Sequence, residues 1–150
     1  MPLKKVGELV IPSSLDRLSE VDRFAESMVK ALALPKDLLD DVAISATEAV
    51  NNAILHGNKQ DAHKHVKISF YLCTRYLRLV VRDEGGGFMP EAVPDPRQEQ
   101  NLLKTTGRGV LIMRHLMDRV RFQRRHGGMS VIMDKFCPGG CIPYGSNYHG

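Results

Sequence analysis

The spacing of hydrophobic residues predicts alternating strands and helices along most of the chain. Residues 5–11 form a short apolar stretch that ends at a proline, which is typical of a β-strand. Two helices are expected over residues 15–32 and 37–58, because apolar residues recur in both at intervals of three and four. Pro35 separates these helices, and Gly57 is a suitable C-terminal stop for the second.

Strict alternation of apolar and polar residues follows over residues 66–73 and 77–81, and it predicts a β-hairpin with a tight turn between its strands. One face of this sheet is expected to be buried, while the other is exposed to solvent or covered by a partner. The remaining predicted elements are one helix and two strands, over residues 110–118, 119–123 and 129–135. The whole pattern indicates a mixed α/β domain.

The composition is that of an ordinary globular protein of one domain, with 150 residues, 43% of them hydrophobic and 25% charged. The net charge is +4, but the basic residues are scattered along the sequence and only 6% of residues are aromatic. This pattern does not favour direct nucleic-acid binding, and an acidic ligand such as a nucleotide accounts for the surplus equally well.

No stretch approaches the roughly 20 apolar residues that a membrane helix needs, so we expect no membrane association and a cytoplasmic location. An odd number of cysteines argues against a secreted disulfide framework, and we expect Cys73, Cys137 and Cys141 to be free thiols. Residues 136–150 are rich in glycine and proline and are predicted to form a disordered or loosely docked tail.

The second predicted helix carries candidate chemistry on its polar side. Glu48 and Asn52 are one turn apart there, with Ser45 on the same side and the apolar residues opposite. A carboxylate and an amide oxygen held in this relation suit a hard cation and a proton acceptor, as Mg²⁺ and phosphate chemistry requires. Taken alone, the same pair is equally typical of a solvated helix face.

Two glycine-rich segments supply further weak signals. Asp83 ends the second hairpin strand and is followed by three glycines, which lets backbone approach a flat ligand beside a carboxylate. Gly107-Arg108-Gly109 opens the third helix, where free N–H groups favour a phosphate. Each segment alone is equally consistent with a turn or a loop-to-helix junction. The long loop between them, residues 89–106, has the length of a lid or a disordered segment.

The three motifs occur in one order: Glu48-Ala49-Val50-Asn51-Asn52, then Asp83-Glu84-Gly85-Gly86-Gly87, then Gly107-Arg108-Gly109 after the long loop. This arrangement resembles the three sequence boxes of the GHKL superfamily of ATPases and kinases. The segment Thr47-Glu48-Ala49, with Ala53-Ile54-Leu55-His56-Gly57-Asn58 after it, is most similar to the branch of anti-sigma-factor serine-protein kinases. The resemblance covers residues 5–135.

The resemblance implies a domain over residues 1–135 with an α+β fold of the Bergerat type. In that fold a layer of helices packs on one face of a mixed, mostly antiparallel sheet. It further implies binding of ATP with Mg²⁺, with Asn52 as the metal ligand, Glu48 as the general base and Asp83 as the acceptor for the adenine amino group. The other implied nucleotide contacts are Gly85, Gly87, Phe88, Lys104, Thr105, Thr106, Gly107, Arg108, Gly109, Val110 and Ser130.

Two positions depart from the family pattern. A basic residue often precedes the first lid glycine by two places, whereas this chain has Thr105 there, with Lys104 before it and Arg108 between the glycines. Near adenine the family usually has threonine directly after a glycine, whereas this chain has Met129 followed by Ser130. Either Ser130 substitutes through a shifted register, or that contact is missing.

The function that the resemblance implies is an ATP-dependent serine/threonine-protein kinase and anti-sigma factor. Its partners would be an anti-anti-sigma factor of the STAS type, which it phosphorylates, and a sigma factor, which it sequesters. Branch members commonly act as homodimers. The alternative is a regulatory module that binds ATP to order its lid and grip a partner, without productive catalysis. A dimeric ATPase that clamps on hydrolysis is disfavoured, because the chain has no room for a transducer domain.

Overall fold

The fold is taken from a computed structural model, which describes residues 2–85 and 109–141. Its elements in chain order are β1 (Lys4–Pro12), a 3-10 turn (Leu15–Arg17), α1 (Leu18–Ala31), α2 (Asp37–Asn52), a π-helical turn (Ala53–Gly57), β2 (His65–Leu72), β3 (Tyr76–Arg82), α3 (Gly109–Leu116), β4 (Arg119–Arg125) and β5 (Gly128–Phe136).

The five strands form one sheet in the order β1-β2-β3-β5-β4, and every strand pairing in the described part of the chain is antiparallel. The helices pack together with α2 between α1 and α3. Alternation along the strands directs Phe70, Leu79 and Met133 into the core, where each is fully buried. Phe24 of α1 meets Phe70 edge to face, with ring centroids 5.4 Å apart. The predicted α+β sandwich is therefore confirmed.

The long second helix differs from its prediction in two respects. The α-helical hydrogen bonding ends at Asn52, and a π-helical turn completes the segment, with the N–H of Asn58 donating to the carbonyl of Ala53 at 2.7 Å. Ser45, which was placed on a polar face, is fully buried, and its hydroxyl has no partner in the described residues. The reason is tertiary, because α1, α3 and three strands contact α2 and cover most of its circumference.

The expectation of three free thiols is wrong for two of them. Cys137 and Cys141 form a disulfide with their Cα atoms 5.0 Å apart, whereas Cys73 is free and buried. The two intervening glycines, Gly139 and Gly140, adopt φ values of +76° and +102°, which side chains rarely tolerate. These glycines reverse the chain within five residues, so the two cysteines meet despite their short separation in sequence.

The predicted lid over residues 89–106 and residues 142–150 of the predicted tail lie outside the described residues. Among the helices that the structure describes, none has both the length and the apolar character needed to cross a bilayer.

One buried side chain joins the end of the second helix to the sheet. Asn58 is 1% exposed, and its amide nitrogen donates to the hydroxyl of Ser13 at 2.8 Å and to the carbonyl of His65 at 3.0 Å. Its amide oxygen accepts the backbone N–H of Glu84 at 2.8 Å. One residue thus fixes the relative positions of the ends of β1 and β3, the start of β2 and the turn after α2.

We expect Asn58→Ala to lower the free energy of unfolding by about 2–4 kcal/mol, because it removes a buried hydrogen bond to the hydroxyl of Ser13 and two part-buried ones to backbone groups. Urea denaturation measures this loss. The matched control is Gln123→Ala on the exposed edge strand β4, which should change stability by less than about 0.5 kcal/mol. Equal losses in the two variants would show that Asn58 does not hold these elements together.

Candidate nucleotide-binding site

A cleft opens between α2, α3 and the buried face of the sheet. Apolar side chains form most of it, and a few polar groups from separate elements point into it. The lining residues are Ala49, Asn52, Ala53, His56, Gly57, Val81, Asp83, Met113, Phe122, Met129 and Val131. An apolar cleft with a few convergent polar groups is the usual form of a small-molecule site.

Asp83 lies just beyond β3 and is the buried acid of the cleft, with 6% exposure. Its Oδ1 accepts the backbone N–H of Gly85 at 2.9 Å and that of Met129 at 3.2 Å. Its Oδ2 faces Gly57 and accepts no hydrogen bond from the described residues. Burial raises the pKa of Asp83, and the two backbone N–H groups oppose this rise only in part. A fixed acceptor oxygen is therefore available to a donor on a ligand.

Close backbone approach explains the glycines around this acid. A Cβ on Gly57 would overlap the carboxylate of Asp83, and a Cβ on Gly85 would overlap the carbonyl of Gly57. Gly128 is similarly restricted, because its Cβ would overlap the carbonyl of Asp83. The end of the second helix, the segment after β3 and the start of β5 can therefore meet at Asp83 only if these positions lack side chains.

The second polar region lies where α2 and α3 meet. Gly109, the first residue of α3, is so close to α2 that a Cβ there would lie 2.9 Å from Oε2 of Glu48 and 3.0 Å from Nδ2 of Asn52. The amide nitrogen of Asn52 is buried and has no partner in the described residues. The oxygen and nitrogen of an amide exchange places by rotation, so either atom can face this point. A bound cation and a phosphate group would supply the missing partners of this buried amide and of the carboxylate beside it.

The space between the lining side chains is about 30 Å³, which is enough for water but smaller than a purine. Met113 and Met129 border it. Methionine is unbranched, so these two side chains can repack more readily than branched ones and change the size of the space.

The structure brings together Glu48, Asn52, Asp83, Gly85 and Gly109 of the predicted set. It does not bring Ser130 to them. Pairing between β3 and β5 continues without a register shift, so alternation places Met129 in the cleft and Ser130 on the opposite face of the sheet. Val110 is 4% exposed and belongs to the hydrophobic core.

Seven other predicted contacts lie outside the described residues: Gly87, Phe88, Lys104, Thr105, Thr106, Gly107 and Arg108.

Three contributors to the site were not predicted in their present role. The sequence predicts Gly57 only as a helix stop and places Asn58 at the end of the same helix, the one that carries Glu48 and Asn52. Met129 was noted as a departure, but the donation of its N–H to Asp83 was not foreseen. Of these three, only Gly57 has a recognisable signal in the sequence, because a glycine at a helix end also permits close approach by another segment.

Within residues 2–85 and 109–141, three helices lie on one face of a five-stranded antiparallel sheet, and acid and amide groups converge between the two layers. This arrangement is typical of nucleotide-binding domains of the histidine-kinase type. A family profile described as "Histidine kinase-like ATPase domain" matches residues 11–135. The chain belongs to this GHKL family, to its branch of serine-protein kinases and anti-sigma factors, and membership of an ATPase family implies that the domain binds ATP.

Named relatives agree with this placement. The serine-protein kinase RsbW of Bacillus subtilis (strain 168) is 28% identical over 138 residues, which cover 88% of this chain and 86% of that protein. The anti-sigma F factor of Clostridium perfringens (strain SM101 / Type A) is 31% identical over 124 residues, covering 78% of this chain and 89% of that protein.

Solved structures share the fold. A crystal structure of the RsbU and RsbW domains of a Mycobacterium tuberculosis protein matches with a TM-score of 0.62 and 15% identity, covering 89% of this chain and 33% of that one. The catalytic domain of the histidine kinase ThkA matches with a TM-score of 0.55 and 17% identity, covering 88% of this chain and 98% of that one.

The raised pKa of Asp83 predicts a pH dependence of stability. Its contribution to stability is full below the ordinary value of 3.8 and is lost as the pH rises through the higher value in the folded protein. We therefore expect the stability of the natural protein to fall relative to that of Asp83→Asn between pH 4 and pH 8. Urea denaturation at each pH measures the difference.

The control is Asp22→Asn, at an exposed position of α1, whose difference from the natural protein should stay constant over the same range. A constant difference for Asp83→Asn as well would mean that the carboxylate is not desolvated in the folded protein.

Proposed function

We propose that this chain is an ATP-dependent serine/threonine-protein kinase that phosphorylates an anti-anti-sigma partner of the STAS type and sequesters a sigma factor. The observation that carries the catalytic part is the meeting of Glu48 and Asn52 with the first residue of α3, because Asn52 also lines the cleft that holds Asp83. The named relatives, a serine-protein kinase and anti-sigma F factors, support the choice of partners.

Asp83 is proposed to select adenine. Its free Oδ2 is an acceptor at the floor of the cleft, and adenine presents an exocyclic amino donor where guanine has a carbonyl. The two backbone N–H groups on Oδ1 fix the direction of the acceptor before the ligand arrives. Preorganisation of this kind lowers the cost of binding.

Asn52 is proposed to hold Mg²⁺ through its amide oxygen, since its side chain lines the cleft beside Glu48; its unpartnered Nδ2 would then donate to a phosphate oxygen. When bound, Mg²⁺ supplies positive charge to the phosphate oxygens. The close approach of α3 keeps the Asn52 side chain at the helix junction, because the path of Gly109 leaves it little room to turn away.

Glu48 is proposed to be the general base, accepting the proton of the attacking serine hydroxyl. It lies one helical turn from Asn52, and its Oε2 is next to the opening of α3. A base on a rigid helix keeps a fixed distance from the phosphate that receives the hydroxyl oxygen.

The second candidate function is a regulatory module that binds ATP without productive transfer. Met129 favours it, because its thioether lines the cleft where the family usually has a threonine hydroxyl near adenine. The nearest hydroxyl on β5, that of Ser130, belongs to the other face of the sheet. Labelled ATP separates the two candidates, since a pure binding module leaves no phosphoserine on its partner.

Substitution of the proposed base should uncouple binding from transfer. We expect Glu48→Gln to bind ATP within about twofold of the natural protein but to transfer phosphate at least about 100-fold more slowly to the STAS-type partner. Calorimetry measures binding, and transfer of labelled phosphate measures the rate. Glu26→Gln on α1, which loses only an exposed ion pair, is the matched control and should change neither value. Transfer at the natural rate by Glu48→Gln would remove Glu48 from catalysis.

Substitution of the adenine acceptor should act on binding. We expect Asp83→Asn to weaken ATP binding by about tenfold or more, because an amide donor would then face the amino donor of adenine. Calorimetry with ATP and GTP measures both affinities. Unchanged ATP affinity, in a variant that denaturation shows to be folded, would overturn the adenine assignment.

A further inference from the structure

A second concave surface lies on the face of the sheet that the helices leave uncovered. It is a groove of about 520 Å³ that crosses all five strands. Successive residues of β5 line the two sites alternately. Met129 and Val131 line the nucleotide cleft, whereas Ser130 and Ile132 line the groove. The groove is therefore separated from the cleft by the thickness of the sheet.

Basic side chains dominate this groove. Among its lining residues in the described part of the chain, none is acidic and six are basic: Lys5, Lys67, Arg78, Arg82, Arg121 and Arg125. They come from four strands and are far apart in sequence. The sheet thus concentrates on one surface six positive charges, in a chain whose net charge is only +4.

Carboxylates at the margin neutralise part of this charge. Asp134 holds Arg78 through two hydrogen bonds of 2.7 and 3.0 Å, and it also pairs with Arg119 at 3.0 Å. Glu8 pairs with Lys5 and lies 3.8 Å from the ammonium group of Lys67. These ion pairs neutralise basic side chains on one side of the groove.

Arg82, Arg121 and Arg125 form no ion pair with a carboxylate among residues 2–85 and 109–141, although Arg82 is close enough to Asp83 for its charge to lower the pKa of that acid. Arg82 donates to the carbonyl of His126 at 3.2 Å, and Arg125 donates to the amide oxygen of Gln123 at 3.2 Å. These neutral acceptors orient the guanidinium groups without cancelling their charge. Arg121 adds a third charge on the same edge strand as Arg125. An acidic ligand would complete this side.

Between the basic side chains the floor is apolar. Val80 and Ile132 face each other across β3 and β5, and Ile132 is 9% exposed. Single-stranded nucleic acid is held by several aromatic side chains on which bases stack, whereas Tyr71 is the one aromatic residue among the described lining residues of the groove. A peptide with acidic residues on either side of an apolar one matches both the charges and the floor.

A second copy of this chain is a poor occupant by the same reasoning. A symmetric dimer formed through the groove would place the basic surface of one protomer against the same basic surface of its partner. Like charges brought together in this way oppose association.

We propose that this groove docks an acidic polypeptide segment of a partner protein, with glutamate or aspartate side chains on Arg82, Arg121 and Arg125 and an apolar side chain on Val80 and Ile132. The site is distinct from the nucleotide cleft. It does not depend on the proposed kinase activity, because the binding needs neither ATP nor catalysis.

The test uses the full chain and a fluorescein-labelled peptide, Glu-Glu-Leu-Glu-Glu-Leu-Glu-Glu, in an anisotropy titration without nucleotide. We expect saturable binding that weakens as salt is raised from 50 to 300 mM, and no binding of the peptide in which glutamine replaces glutamate. The double variant Arg121→Gln with Arg125→Gln should weaken binding by about tenfold. The matched control, Arg23→Gln with Lys36→Gln, removes two exposed charges near the helices and should change the affinity by less than twofold.

Three outcomes would overturn the proposal. One is equal affinity of the two double variants for the peptide. Another is that a labelled ten-residue oligothymidylate binds more tightly than the peptide and that the groove variant no longer binds it. This result would make the groove a nucleic-acid site. The third is a dimer in sedimentation that the groove variant abolishes, which would assign the surface to a second copy. ATP affinity is also measured on each variant and should stay unchanged. An unchanged value shows that the sheet is intact.

Discussion

The burial of one carboxylate is the constraint on which the site depends. Asp83 joins three segments at a point where the side chains of Gly57, Gly85 and Gly128 would not fit. Two backbone N–H groups hold one of its oxygens, and the other is the proposed acceptor for adenine. Burial without full compensation raises its pKa, which is a cost to the fold. A cost of this kind is common at binding sites, because a ligand can supply the missing hydrogen bond.

The helices hold the other polar groups of the site, on the wall of the cleft opposite Asp83. α2 carries both the carboxylate and the amide on consecutive turns, and α3 begins so close to them that its first residue must be glycine or displace them. The core beneath is filled by side chains such as Val42 and Val50, which are fully buried and fix the rotation of α2. Packing therefore determines the direction in which Glu48 and Asn52 point.

The two faces of the sheet are chemically different although they share the same strands. Residues directed towards the helices are mostly apolar, with Asp83 and Lys135 as polar exceptions, whereas those directed outwards include most of the basic residues of the strands. Arg82 and Asp83 illustrate this separation, since they are adjacent in sequence and serve opposite faces. A ligand on either face contacts β3 and β5, so the two surfaces share their backbone framework without sharing side chains.

Sequence by itself determined the elements and the family. Periodicity located each described strand within two residues of its observed ends, and the motif around Glu48, Asn52 and Asp83 identified the ATP-binding class, because these signals are local. Contacts between distant segments were decided by the tertiary structure alone. The basic residues are scattered in sequence, and only strand register gathers Arg82 and Arg121 into one groove. Register likewise turned Ser130 away from the cleft, and a reversal at two glycines joined two cysteines that were expected to be free.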